Sequence, residues 1–207
     1  MPNKEKEYYS ETVRFIVGCD EAGRGPLAGP VYAAAVVFPP DFIDPRIDDS
    51  KKLTEKARET LFSVIVEHAL GYGIASMSAE EIDRYNIYEA TKLCMRKAIS
   101  DIHVPFDLII SDAMPLGEVH GVKVIPMIKG DAQCQNVAAA SILAKVSRDR
   151  YMKELESLYP CFSFSVHKGY GTKKHMEELR EFGPIEGVHR KSFKPVASLH
   201  AEQLKLF

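Results

Sequence analysis

The stretch Arg14-Phe15-Ile16-Val17-Gly18-Cys19-Asp20-Glu21 is a short β-rich run that ends on two carboxylates. A turn rich in glycine and proline follows (Gly23, Gly25, Pro26, Gly29, Pro30), and then Val31 to Phe38, a second strand-like run closed by Pro39-Pro40. Two strands with so short a connection are most simply an antiparallel pair. Working outward, Thr54 caps an expected helix with Ala57, Leu61, Val64 and Ile65 on one face. Gly71 to Met77 reads as a third strand, and Ser78 caps a longer helix that runs to about Ser100. Strands are expected over Asp107 to Ser111 and from about Val122 to Ile128. Asp131 is expected to open a helix whose Val137 to Val146 stretch is apolar on nearly every side; it ends near Pro160. A short helix follows, from Thr172 to about Phe182. Strands first, then strands alternating with helices, predict one mixed-sheet α/β domain with a helical C-terminal lobe.

Composition sets the outer bounds. The chain has 207 residues, 45% hydrophobic and 27% charged, which are globular proportions and exclude a disordered or fibrous class. The longest apolar run, Val31 to Phe38, falls far short of the roughly 20 residues a membrane span needs. No charged segment followed by an apolar core opens the chain, and Lys4-Glu5-Lys6-Glu7 reads as a solvated end. Cys19, Cys94, Cys134 and Cys161 form no CxxC pair, so reduced thiols and a cytoplasmic location are expected, with no membrane contact. The seven histidines are scattered, and His167 and His175 lie outside the usual zinc-ligand spacings. Net charge is −2, yet Ser165 to Pro195 holds seven Lys or Arg against four Glu, a local excess suited to facing phosphates.

Three acidic placements share one feature. Asp20-Glu21 follows Phe15-Ile16-Val17, Asp112 follows Leu108-Ile109-Ile110-Ser111, and Asp131 follows Val124 to Ile128 through Lys129-Gly130. Each ends an apolar strand or starts a helix, and in sheets of this kind functional groups gather at strand ends. Carboxylates gathered there repel one another and lose hydration, so their juxtaposition calls for a cation. Mg²⁺ takes oxygen ligands and keeps waters for a phosphate substrate, and two such ions about 4 Å apart support phosphodiester hydrolysis. Singly, each acid also reads as a helix cap or strand terminator. No Ser-His-Asp or Cys-His arrangement competes for the chemistry. Gly23-Arg24-Gly25 lets bare backbone approach a ligand while Arg24 offers a fork to phosphate. The glycines do not fit GxGxxG, and a strand rather than a helix follows them.

These residues carry a resemblance. Asp20-Glu21-Ala22-Gly23-Arg24-Gly25-Pro26-Leu27-Ala28-Gly29-Pro30-Val31 closely resembles the signature of ribonuclease HII. The likeness continues through Asp49-Ser50-Lys51-Lys52-Leu53, Ser111-Asp112, Lys129-Gly130-Asp131 with Ala138 to Val146, His167-Lys168-Gly169-Tyr170-Gly171-Thr172 and His189-Arg190-Lys191-Ser192-Phe193. The resemblance implies a ribonuclease H-like fold: a mixed sheet flanked by helices with a small helical C-terminal lobe. It implies Mg²⁺- or Mn²⁺-dependent hydrolysis of RNA in RNA–DNA hybrids, and incision 5′ to single ribonucleotides embedded in duplex DNA. It makes Asp20, Glu21, Asp112 and Asp131 the metal-binding and catalytic carboxylates. It makes Gly23, Arg24 and Gly25 the loop that reads the ribose 2′-OH, and Tyr170 the residue that senses the RNA-to-DNA junction. Lys51 and Lys168 become candidates for phosphate contacts. The sister family, ribonuclease HIII, carries an extra N-terminal domain for which the position of Asp20 leaves no room; Arg24 also favours ribonuclease HII.

The expected division is residues 1–13 as an N-terminal extension, 14–197 as the catalytic domain with its helical lobe from about 160, and 198–207 as a tail. One departure stands out: Gln133-Cys134 follows Asp131-Ala132 where the resemblance leads one to expect Lys-Ser, and with all four carboxylates present activity is expected to persist. The chain ends Gln203-Leu204-Lys205-Leu206-Phe207. Gln203, Leu204, Leu206 and Phe207 resemble the pentapeptide by which bacterial replication proteins bind the sliding clamp; a final strand or turn packed on the body is the competing reading. A monomer is expected. Two other readings remain open: a nuclease preferring long hybrids, and a hybrid-binding module without catalysis, against which the four acids argue.

Overall fold

The computed structural model describes residues 3–204, with side chains through Leu199. Five strands form one sheet: β1 (Ile16–Ala22), β2 (Val31–Val37), β3 (Gly71–Met77), β4 (Leu108–Asp112) and β5 (Val124–Met127), in the order β3-β2-β1-β4-β5. The pairs β1/β2 and β2/β3 are antiparallel, as the short connection after β1 predicts. The pairs β1/β4 and β4/β5 are parallel. Register then does the positioning. Cys19 pairs with Ser111, so the next residues along the two parallel strands, Asp20 and Asp112, arrive side by side at the same sheet end. Asp112 pairs in turn with Met127, which brings the loop after β5 to that end as well.

Helices cover both faces. α1 (Glu55–His68) and the long α4 (Gln135–Leu158) lie on one face over Ala34 and Val36. α2 (Ala79–Tyr85) and α3 (Ile87–Ser100) lie on the other, over Val17, Cys19, Ala33, Ala35 and Val37. The alternation follows the two-residue period of the strands. α4 comes so close to β1 that a Cβ on Gly18 would sit 2.1 Å from the Asn136 carbonyl carbon, so only glycine fits there. α5 (Phe164–His167), α6 (Lys173–Phe182) and α7 (Lys194–Leu204) form the C-terminal lobe, packed on Leu27, Ala28 and Met152 through Phe162, Phe164, Leu179 and Val196. No helix among the described residues is long and apolar enough to cross a membrane.

The sequence-based reading needs three corrections. The helix expected from Ser78 to Ser100 is broken at Asn86, whose φ of 65° ends α2 and whose side chain accepts from the Tyr88 and Glu89 amides to start α3. Asp131 does not open α4; it sits in a 3₁₀ turn, Gly130–Ala132, ahead of the true start at Gln135. The N-terminal acidic-basic run is not simply solvated, because Glu5 is only 3% exposed. Residues 198–204 of the expected tail lie on α7; Leu206 and Phe207 of the clamp-like peptide lie outside the described residues, as do the side chains of Gln203 and Leu204.

Candidate active site

Asp20, Asp112 and Asp131 each bring a carboxylate oxygen within 4.8 Å of the other two. β1 and β4 deliver the first two by register. The third comes from the turn after β5, which Asp112 itself anchors: the Gly130 amide donates to Asp112 Oδ1 at 2.8 Å. Asp20 opposes Ala34 and so points to the α4 face, where Ser141 hydrogen-bonds it. Ser141 is held in turn by Ser50, Oγ to Oγ 2.9 Å. Glu21 is adjacent on the strand, and strand alternation keeps it out of the aspartate trio. It lines the same crevice, with Oε1 3.5 Å from Arg24 Nη1 and Oε2 buried without a hydrogen-bond partner.

The electrostatics are unfavourable as they stand. Burial, then the charges of Glu21 and Asp112, push the Asp20 carboxyl well above the ordinary range. Burial likewise raises Glu21, where Arg24 only partly offsets it, and Asp112, where the Asp131 charge adds to the effect. Cations stand near but do not fill the centre. Lys51 Nζ lies 3.1 Å from Asp131 Oδ2, on a side chain that is 77% exposed. Lys145 is engaged by Asp149 at 2.5 Å, and Arg58 approaches that same carboxylate at 3.7 Å. An all-carboxylate donor set with one buried oxygen left unpartnered suits a hard, oxygen-loving divalent cation.

The Gly23-Arg24-Gly25 loop and Tyr170 border the same crevice, as does Lys51. Lys168 does not: it ends α5 in a left-handed conformation, and its buried Nζ has no hydrogen-bond partner. Two residues that reading the sequence did not single out fix the loop from behind. Arg190, fully buried, donates to the carbonyls of Gly23 (2.6 Å), Arg24 (2.9 Å) and Gly29 (3.0 Å). Arg148, 1% exposed, donates to Pro30 and Ala28 carbonyls, and its guanidinium stands 6.0 Å from the Tyr170 ring centre. Gly23 has φ +98°, and a Cβ there would meet Arg148 Nε at 2.1 Å. Only the presence of Arg190 in a matching block hinted at this; Arg148 reads as surface charge on an amphipathic helix. The basic Ser165 to Pro195 stretch is thus partly internal scaffold.

A mixed sheet in this strand order, with carboxylates at the joined ends of two parallel strands, has the ribonuclease H-like fold. The family model for Ribonuclease HII matches residues 17–196. A ribonuclease HII of Geobacillus kaustophilus (strain HTA426) is 50% identical over 196 residues, 93% of this chain and 73% of the relative. The ribonuclease H2 structure from Pyrococcus horikoshii OT3 superposes with a TM-score of 0.78 at 27% identity, over 92% of this chain and 99% of that one. A chain of the PCNA:RNase HII complex from Archaeoglobus fulgidus gives a TM-score of 0.73 at 27% identity, over 93% and 100%. The chain belongs to the ribonuclease HII family and is a ribonuclease H endonuclease.

Proposed function

We propose that the crevice binds two divalent ions, Mg²⁺ or Mn²⁺, on Asp20, Glu21, Asp112 and Asp131. With them the enzyme hydrolyses the RNA strand of RNA–DNA hybrids and incises 5′ to single ribonucleotides in duplex DNA. The observation that carries this is the convergence of three aspartates, two of which, Asp20 and Asp112, are pushed above their ordinary range by burial and by neighbouring carboxylates. Bound divalent ions supply an activated water and charge to offset the leaving oxygen. The chain's own residues do the rest. Gly23 and Gly25 let backbone approach a ribose closely enough to meet its 2′-OH, the group that separates RNA from DNA. Arg190 and Arg148 keep that loop in place. Tyr170, half exposed at the crevice edge, offers a ring to stack on a deoxyribose lacking a hydroxyl. Lys51 is free to leave Asp131 for a substrate phosphate, being largely in solvent.

Residues 14–197 form the catalytic unit in this reading. The A. fulgidus relative is seen with PCNA, which supports reading Gln203-Leu204-Lys205-Leu206-Phe207 as a sliding-clamp peptide that raises the enzyme's effective concentration on DNA. Equal clamp affinity after deletion of residues 203–207 would end that reading.

The test of the activity is an end-labelled DNA duplex with one ribonucleotide, incubated with Mg²⁺, Mn²⁺ or EDTA beside Asp112→Asn. The expected result is a metal-dependent cut 5′ to the ribonucleotide that the variant loses. Tight binding without product under either metal would make the protein a reader of hybrids rather than a cutter.

A further inference from the structure

The start of α4 is capped from the other end of the chain. A helix opens with four amides that have no partner inside it, and the residue before its first turn usually supplies a side-chain acceptor. Here that residue is Cys134, with the extended dihedrals of a cap (φ −127°, ψ 126°) but no side-chain capping bond. A thiol is a weak acceptor, and its Sγ lies instead 3.4 Å from Met127 Sδ. The acceptor comes from Glu5, in the 3₁₀ turn Lys4–Tyr8. Its Oε2 takes the Asn136 amide at 3.2 Å in a buried setting, with the Asn3 side chain beside it. The Lys4 amide donates to the Gln133 carbonyl at 2.8 Å, and Tyr8 and Tyr9 pack on the cluster of Ile16, Ile110 and Cys134. Burial raises the Glu5 carboxyl, and the amides at the positive end of a 24-residue helix, with Asn3, partly offset that cost.

The turn that carries Asp131 lies directly against this brace. Gln133 Nε2 closes it by donating to the Ile128 carbonyl (2.7 Å) and the Lys129 carbonyl (3.2 Å), and the Cys134 amide donates to the Gly130 carbonyl at 2.8 Å. Asp131 is thus gripped between Asp112, through Gly130, and the N-terminal arm, through Gln133 and the helix start. We infer that Glu5 is a positioning residue for the active site: by capping α4 in place of Cys134, it holds the Asp131 turn where its carboxylate meets a divalent ion. This rests on the reading of Asp131 as a cation ligand.

The test is Mn²⁺ binding by calorimetry, with metal-free melting temperatures, for the full-length chain and for Glu5→Ala, Cys134→Ser and the double variant. Glu5→Ala is expected to weaken Mn²⁺ binding about tenfold, or roughly 1.4 kcal/mol. Cys134→Ser in that background restores most of the affinity, because the new hydroxyl can accept from the Asn136 or Val137 amide. Cys134→Ser alone changes little. A lowered melting temperature with unchanged Mn²⁺ affinity in Glu5→Ala would overturn the inference, leaving Glu5 a structural cap. So would a folded double variant that still binds Mn²⁺ about tenfold more weakly than the unaltered chain; this decides the matter even if Glu5→Ala fails to fold. An unaltered chain that binds no Mn²⁺ would overturn the cation reading as well, and so separates the two failures.

Discussion

Two regions of this molecule bury ionisable groups, and they treat them in opposite ways. In the C-terminal lobe every buried ring nitrogen has an assignment. His167 Nδ1 accepts the Gly169 amide, so its Nε2–H donates to Glu178. His189 Nδ1 accepts the Ile185 amide, so its Nε2–H donates to His175 Nε2, and His175 Nδ1–H donates to the Tyr170 carbonyl. Two backbone amides and the Tyr170 carbonyl thereby fix three neutral tautomers, and burial pushes His175 down to about 4 and His189 down to about 3. The crevice brings carboxylates together, raises the proton affinity of Asp20, Glu21 and Asp112 despite the cations at its rim, and leaves Glu21 Oε2 unpartnered. Satisfied polar groups build scaffold; a converging set left short of partners marks the place where a ligand completes the structure.

The comparison is broken most severely at the carboxylates. Asp112→Asn, or Asp20→Asn, is expected to lower cleavage at least about 10³-fold, since several kcal/mol of metal-derived stabilisation vanish; single-turnover incision with Mg²⁺ measures it. On the lobe side, Arg190→Ala removes a guanidinium from three carbonyls and should cost roughly 3 kcal/mol of stability by urea unfolding. The loop it holds then shifts, and incision falls about a hundredfold in any fraction that stays folded. The pH dependence separates the regions by sign. The lobe histidines are charged in the unfolded chain below its ordinary value of about 6.5 but neutral in the fold, so their contribution is complete above that pH and is lost on acidification towards about 4. Asp20, Glu21 and Asp112 bind protons more tightly folded than unfolded, so the metal-free crevice loses stability as pH rises through their raised range. Between pH 7 and 5 the wild-type chain should lose stability more steeply than His189→Asn, by up to about 1.4 kcal/mol per pH unit. The smallest effect concerns Lys51, whose exposed pair with Asp131 competes with a cation: Lys51→Ala should tighten Mn²⁺ binding by no more than about fivefold, the scale of a surface ion pair, while raising KM for substrate.

Much of the scaffold was legible because local chemistry and long-range packing agree there. Thr54 and Ser78 are helix caps in sequence and in structure, and the antiparallel β1/β2 pair follows from its Gly- and Pro-rich connection. The aspartates were legible because each ends an apolar strand or lies just past one. What was not legible depends on partners distant in sequence. Asn86 breaks a continuous helical pattern by adopting φ 65° and ψ 162°, a conformation rare outside glycine that nothing in the local sequence announces. Glu5 looks like surface charge until Asn136, 131 positions away, is placed beside it. Arg148 and Arg190 look solvated until the glycine loop folds its carbonyls onto them. Lys168, chosen as a phosphate contact by position in a motif, turns its amine into the protein instead.

In this reading the crevice stays electrostatically incomplete until a divalent cation arrives. Melting temperatures of the wild-type chain and Asp112→Asn, each with EDTA and with saturating Mn²⁺ near pH 7, test it most directly. A crossing is expected. Without metal the variant melts higher, by about 2–4 °C for each kcal/mol of repulsion removed in a chain of this size, and with Mn²⁺ the wild-type chain melts higher. A variant that is less stable under both conditions, with a wild-type chain indifferent to Mn²⁺, would contradict it.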